Sequence, residues 1–292
     1  GRGRLVGEAP FDFQGREQAE ARLTVPLELR NEIARIEIAD GHSAGAVLLL
    51  DAGAQRRRVA IISGETTDTA QPLVSGVYFV SRALTPYASV QEAARGADPL
   101  QRALEDRPEV VVLVDVGTVS GGTFEKLDRF VQDGGVLIRF AGNGLAASSD
   151  ALLPVKLRRG GRILGGTLSW EKPQTLAAFP EGSPFAGLAV GADIAIERQV
   201  LAEPEPALTE RTWAALSDGT PLVTAARRGK GMVVLFHVTA DTSWSSLPIS
   251  GLFVDMLRRL VAFAATSGNR AETGTDMINP RRVLDGYGTF VS

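Results

Sequence analysis

Apolar residues fall on alternate positions at the start of the chain: Ala21, Leu23, Val25 and Leu27 would share one face of an extended strand, and Ile33, Ile36 and Ile38 form a second short run. After a glycine-rich turn, Ala46 to Leu50 supplies a third. Strands that follow one another with no helix between them predict a small antiparallel, Ig-like β unit over residues 1–56. It is too small to fold alone.

From Arg57 the pattern changes to strands alternating with helices. Val59-Ala60-Ile61-Ile62 reads as a short apolar strand and residues 71–84 as a helix. Val110 to Asp115 is a continuous apolar run of the kind buried on both faces of a parallel sheet. A helix follows over Thr123–Gln132, with Phe124, Leu127 and Val131 at helical spacing and Gly134-Gly135 as its stop. Val136 to Phe140 is the return strand, and the crossover should be right-handed. Residues 154–203 read as short strands and loops broken by glycine and proline, with Ile194-Ala195-Ile196 as the best strand. Arg211 to Leu216 and Leu222 to Ala226 flank Asp218-Gly219, a hairpin signal, and Met232 to Phe236 returns into the sheet. A last helix starts near Pro248, with Ile249, Leu252, Phe253, Met256, Leu257, Leu260 and Val261 on one stripe and Arg258 and Arg259 towards its favourable end. Residues 269–292 read as linker. The expected architecture is therefore α/β, a mostly parallel sheet flanked by helices over residues 57–268, with the small β unit before it.

Composition changes this picture mainly by exclusion. Hydrophobic residues make up 44% and charged residues 22%, which fits a packed globular fold. With 31 Lys and Arg against 34 Asp and Glu, and no long block of one sign, nothing marks a nucleic-acid partner. There are no cysteines, so disulfides, thiolate metal sites and a Cys nucleophile are excluded, and compartment stays open. No apolar run is long enough to span a membrane. The lack of an initiator Met and the abrupt end at Ser292 suggest a piece of a longer protein whose anchor would lie elsewhere.

Four motifs carry candidate chemistry. Gly41-His42-Ser43-Ala44-Gly45 matches the G-x-S-x-G nucleophile elbow by letter, but an elbow must lead from strand to helix, and the Val47 to Leu50 run after it predicts a strand-to-strand turn. Gly142-Asn143-Gly144-Leu145-Ala146-Ala147 fits a G-x-G-x-x-A phosphate loop after a strand, against the simpler reading of a loop at the carboxyl edge that could still line a ligand pocket. Asp241-Thr242-Ser243-Trp244-Ser245 matches the D-x-S-x-S segment of a divalent-cation adhesion site, making Asp241, Ser243 and Ser245 weak metal candidates. The favoured alternative is helix capping by Ser245 or Ser246. His237, one of two histidines, is the one plausible base at that edge, although a lone histidine is more often structural.

Val110–Asp115 with its helix, the Gly134 to Ile138 return and Gly229-Lys230-Gly231 through Phe236-His237 together resemble the class I glutamine amidotransferase-like superfamily. Active members place a Cys at a sharp turn after a central strand and a His after a later one. Here Ala141 to Gly144 offers no Cys, which removes glutaminase chemistry. Further stretches, Leu27 to Asn31, Leu168-Ser169-Trp170, Asp218 to Leu222 and Thr239 to Trp244, are similar to the middle region of bacterial aerotolerance-regulator (BatA-like) membrane proteins, which also carry a von Willebrand A domain and a C-terminal domain of unknown function. The resemblance covers 21–267 and implies a periplasmic portion of an inner-membrane protein of the cell envelope.

The expected function is thus a non-catalytic binding or scaffold module, with other envelope proteins or other domains of the same polypeptide as partners and no cofactor. Gly142, Asn143, Gly144, His237 and Trp244 are the expected ligand-binding residues. The alternative is a hydrolase or transferase built on Asn143, His237 and Asp241, which requires those three side chains to meet in one pocket.

Overall fold

The computed structural model describes residues 5–15, 17–19, 21, 23, 25, 33–41, 43–50, 57–64, 75–93, 98–148, 151–158, 167–268, 283–284, 286 and 290–291. The chain divides into two units, Gly1–Arg56 with Gly274–Ser292, and Arg57–Thr273.

In the first unit, β1 (Arg35–Glu37) pairs antiparallel with β2 (Val47–Leu49) across a single 3-10 turn, Ala44–Ala46. Ser43 therefore sits in a strand-to-strand turn and not on an elbow; His42 lies outside the described residues. Ala21, Leu23 and Val25 are in no strand, and Leu27 is outside the description. Among the described residues of 5–50 none is buried, so the described part of that alternation is not packed into a core. The tail differs from the linker expectation. Its β12 (Val283–Leu284) and β13 (Phe290–Val291) form a short antiparallel pair, and Gly286 O accepts the N–H of Ala44 at 3.2 Å.

The second unit is built on a seven-stranded sheet in the order β4-β3-β5-β6-β11-β10-β9. Its strands are β3 (Arg58–Ser63), β4 (Ser89–Glu92), β5 (Val110–Val114), β6 (Val136–Phe140), β9 (Thr212–Ala215), β10 (Pro221–Arg228) and β11 (Gly231–Phe236). The first five in sheet order are mutually parallel; β10 and β9 are antiparallel additions. Every residue of β5 and β6 is buried, as strands covered on both faces require. Alternate residues split between two cores. Val59, Ile61, Val110 and Val112 face α1 (Gly76–Leu84) and α6 (Gly251–Gly268); Ala60, Ile62, Val111 and Leu113 face α2 (Pro99–Glu105) and α3 (Gly121–Gln132). A second pair, β7 (Thr167–Gln174) with β8 (Ile196–Val200), and two short helices, α4 (Asn143–Ala146) and α5 (Leu208–Arg211), complete the unit. Among the described residues no helix is long and apolar enough to cross a membrane.

Several local expectations need correction. The helix placed at 71–84 is described from Gly76, where Ser75 Oγ accepts the Tyr78 N–H at 3.3 Å. β4, α2 and β7 went unread because they are short or half exposed. The last helix starts at Gly251, not near Pro248. Ser250 Oγ accepts the Phe253 N–H at 3.2 Å, leaving Ile249 in the preceding 3-10 turn and 68% exposed. The rest of the stripe, Leu252 to Val261, is buried. Arg259 does not serve the helix end; its Nη1 donates to the carbonyls of Pro184 (2.9 Å) and Ala186 (2.6 Å) and pins that loop.

Candidate functional site

The carboxyl ends of β5, β6 and β11 lie side by side, the edge at which open α/β sheets place their sites. Asp115 follows directly on β5, and its φ of +47° is the left-handed conformation that Asp tolerates better than most residues. That twist aims its carboxylate across the sheet at the turn after β6. Oδ2 accepts the N–H of Gly144 at 3.1 Å and Oδ1 that of Leu145 at 2.9 Å, so two of the free amides in the first turn of α4 are already filled. Gly142 is required here because a Cβ would come within 2.4 Å of the Asp115 carboxyl carbon.

Arg139, fully buried in the middle of β6, holds the other side of this corner. Its Nη2 donates to the carbonyls of Val116 (2.7 Å) and Gly117 (2.9 Å), and its Nη1 to that of Leu152 (3.2 Å). Burial pushes the Asp115 carboxyl above its ordinary range and the charge of Asp241 adds to this; the amides of Leu145 and Gly144 and the charge of Arg139 pull the other way.

After β11 the chain crosses the same edge through Thr239–Trp244. Asp241 Oδ1 accepts from Thr239 Oγ1 (3.0 Å), from the Ser243 amide (2.7 Å) and from Ser243 Oγ. Between these segments lies a cleft of about 130 Å³ lined by Asp115, Asn143, Thr239, Asp241, Ser243 and Trp244 over a floor of Val114, Ala141 and Ala240.

Asn143, Asp241, Ser243 and Trp244, drawn from three different expected sets, come together at this cleft, but His237 does not join them. It is fully buried, with Nδ1 2.8 Å from Val200 O and Nε2 3.0 Å from Thr224 Oγ1. A carbonyl only accepts, so Nδ1 carries the proton and Nε2 accepts from the threonine hydroxyl. Burial holds the ring neutral, its pKa lowered to about 4. The required convergence of Asn143, His237 and Asp241 fails.

Ser245 also leaves the metal set. It is buried with no partner for Oγ among the described residues, and its backbone bridges to Ile196 in β8. Ser246 precedes the 3-10 turn Leu247–Ile249, but its hydroxyl binds Asp193 O and the Ala195 amide and makes no capping bond. No group of three or more His, Cys, Asp or Glu that could hold a metal ion occurs among the described residues. The phosphate-loop reading fails as well, because the Gly144 and Leu145 amides are taken by a carboxylate that would repel an anion. Gly142 and Gly144 shape the turn but do not line the cleft. Asp115, Arg139 and Thr239 were missed. The first two had a visible signal: a carboxylate closing the most apolar strand and a lone charge inside a fully apolar one.

No family model matches this chain, and no curated protein matches it. Among solved structures, a cytoplasmic protein of Salmonella typhimurium is similar with a TM-score of 0.53 at 12% identity, covering 70% of this chain and 98% of its own. A second, from Salmonella typhimurium LT2, gives 0.50 at 11%, covering 73% and 98%. A protein from Parabacteroides merdae described as ThuA-like gives 0.48 at 17%, covering 76% and 94%. At these identities the likeness establishes the α/β fold alone.

Proposed function

We propose that this chain is a non-catalytic binding module: a glutamine amidotransferase-like domain that has kept the carboxyl-edge cleft and lacks the groups to react there. The observation that carries this reading is the filled turn after β6. The backbone amides that could steady an oxyanion are occupied by the protein's own Asp115, and no thiol stands beside them. The histidine after β11 is a neutral strut between β8 and β10. The strand order, in which the chain runs out to β4 and then back through β5, β6 and β11, matches the flavodoxin-like winding that the superfamily resemblance implies.

The resemblance to the middle region of aerotolerance-regulator proteins supports a setting within a membrane-anchored protein of the bacterial envelope, on its periplasmic side. The partner would be another envelope protein or another domain of the same polypeptide. The expected result with the full purified chain is no ammonia release from glutamine above the uncatalysed rate, since no thiolate can form an acyl-enzyme. Ammonia release proportional to protein concentration would refute the reading.

A further inference from the structure

The cleft has a definite chemical preference. Two carboxylates, those of Asp115 and Asp241, reach it, and the remaining polar side chains on its wall belong to Asn143, Thr239, Ser243 and Trp244. No Lys, Arg or His is among the lining residues. Of the cations nearby, Arg139 spends its Nη atoms on the carbonyls of Val116, Gly117 and Leu152, and Arg198 lies over the Trp244 ring, its Cζ 5.7 Å from the centroid. A concave site of one sign with partly buried walls concentrates its field on whatever enters. At about 130 Å³ the space is also many times the roughly 10–15 Å³ that one water needs, so it suits a group of several heavy atoms.

The number of ligating groups separates a hydrogen-bonding cation from a metal ion. Asp241 Oδ1 already accepts from Thr239 and Ser243, and each Asp115 oxygen accepts a backbone N–H. A divalent ion takes six or more oxygens at about 2.0–2.6 Å, and no group of three or more His, Cys, Asp or Glu that could hold one occurs among the described residues. N–H donors can use the lone pairs left over at ordinary hydrogen-bond lengths, since a carboxylate offers about four acceptor sites.

We propose, resting on the binding-module reading, that the cleft receives the cationic nitrogen end of its ligand: an ammonium or guanidinium group, carried by a partner's lysine or arginine or by a free organic amine. The test is titration of the ¹⁵N-labelled full chain at fixed ionic strength with methylguanidinium, its neutral isostere N-methylurea, Nα-acetylarginine N-methylamide and Mg²⁺. Methylguanidinium should shift the amides of Asn143, Ser243 and Trp244 saturably, and N-methylurea should not. Asp241→Asn should weaken binding tenfold or more. Asn143→Lys, at an exposed position where folding is not at stake, should do the same by placing a competing cation at the rim. Tighter binding of the acetylarginine amide than of methylguanidinium supports the proposal with a polypeptide as source; equal or weaker binding supports it with a free amine. Absence of any saturable shift overturns it, as does Mg²⁺ saturating the same amides at a tenfold lower concentration. Equal binding of N-methylurea overturns the charge preference while leaving the binding-module reading intact, whereas catalytic turnover would refute that reading itself.

Discussion

Replacing Leu257 by alanine lowers the stability of the full chain by about 2–5 kcal/mol, the usual range for truncating a fully buried leucine. The side chain has no exposed surface and sits in the core that α6 shares with Val112, Phe140, Phe236 and Phe253. In that core Phe140 and Phe236, on neighbouring strands, stack with centroids 4.5 Å apart, and Phe253 of α6 meets Phe140 at 5.9 Å. The loss is a large share of a typical domain's 5–15 kcal/mol. It needs no partner, and it reads as a lower denaturant midpoint in the isolated protein. An unchanged midpoint would mean that α6 does not pack on the sheet.

The second large effect is a pH dependence set by His237. Its folded pKa is lowered from 6.5 to about 4, because the buried ring cannot take up a proton without losing solvation. The unfolded chain therefore binds this proton first as the pH falls. The stabilisation is fully present above about pH 6.5, declines between there and pH 4, and is gone below. At 1.36 kcal/mol per pKa unit the change is about 3 kcal/mol. Carboxylates contribute their own slopes, so the informative quantity is a difference. Denaturation midpoints of the wild type should fall more steeply from pH 7 to pH 4 than those of His237→Gln. Parallel curves would show that the ring titrates normally and is not buried between Val200 and Thr224.

Much of the sheet could be read from the chain because β5 and β11 are continuous apolar runs and β6 is one broken only by Arg139, and burial on both faces is then a compositional signal. β4 and β7 mix exposed and half-buried residues and offer no such run. Their strand character comes from tertiary pairing, with β3 and β8 respectively. The helix stripe failed at one end only. Periodicity cannot separate Ile249 from the helix, whereas the Ser250 hydroxyl, by capping Phe253, starts a new turn after it. At the site, spacing located the right loops but assigned His237 the wrong neighbours. One residue beyond β11 the ring is still between strands, and the edge is reached only at Thr239. Asp115 belongs to the site through a left-handed backbone turn and contacts 29 and 30 residues away, which no local pattern records.

The central claim is that Asp115 occupies the amide pair at the turn after β6. It is tested most directly by following the Gly144 and Leu145 amide protons through an NMR pH titration. Burial raises this carboxyl in the folded chain, so it keeps its proton to higher pH than in the unfolded chain. The folding advantage it gives on the acid side is lost as pH rises through the folded value. Both amides should move together through one transition with a midpoint above the ordinary aspartate value of 3.8, and Asp115→Asn should abolish it. A midpoint at or below 3.8 would mean that the amide hydrogen bonds outweigh burial. Amides that do not respond to the protonation of Asp115 would mean the turn is open and the carboxyl edge is free to bind an anion or steady an oxyanion, contrary to this account.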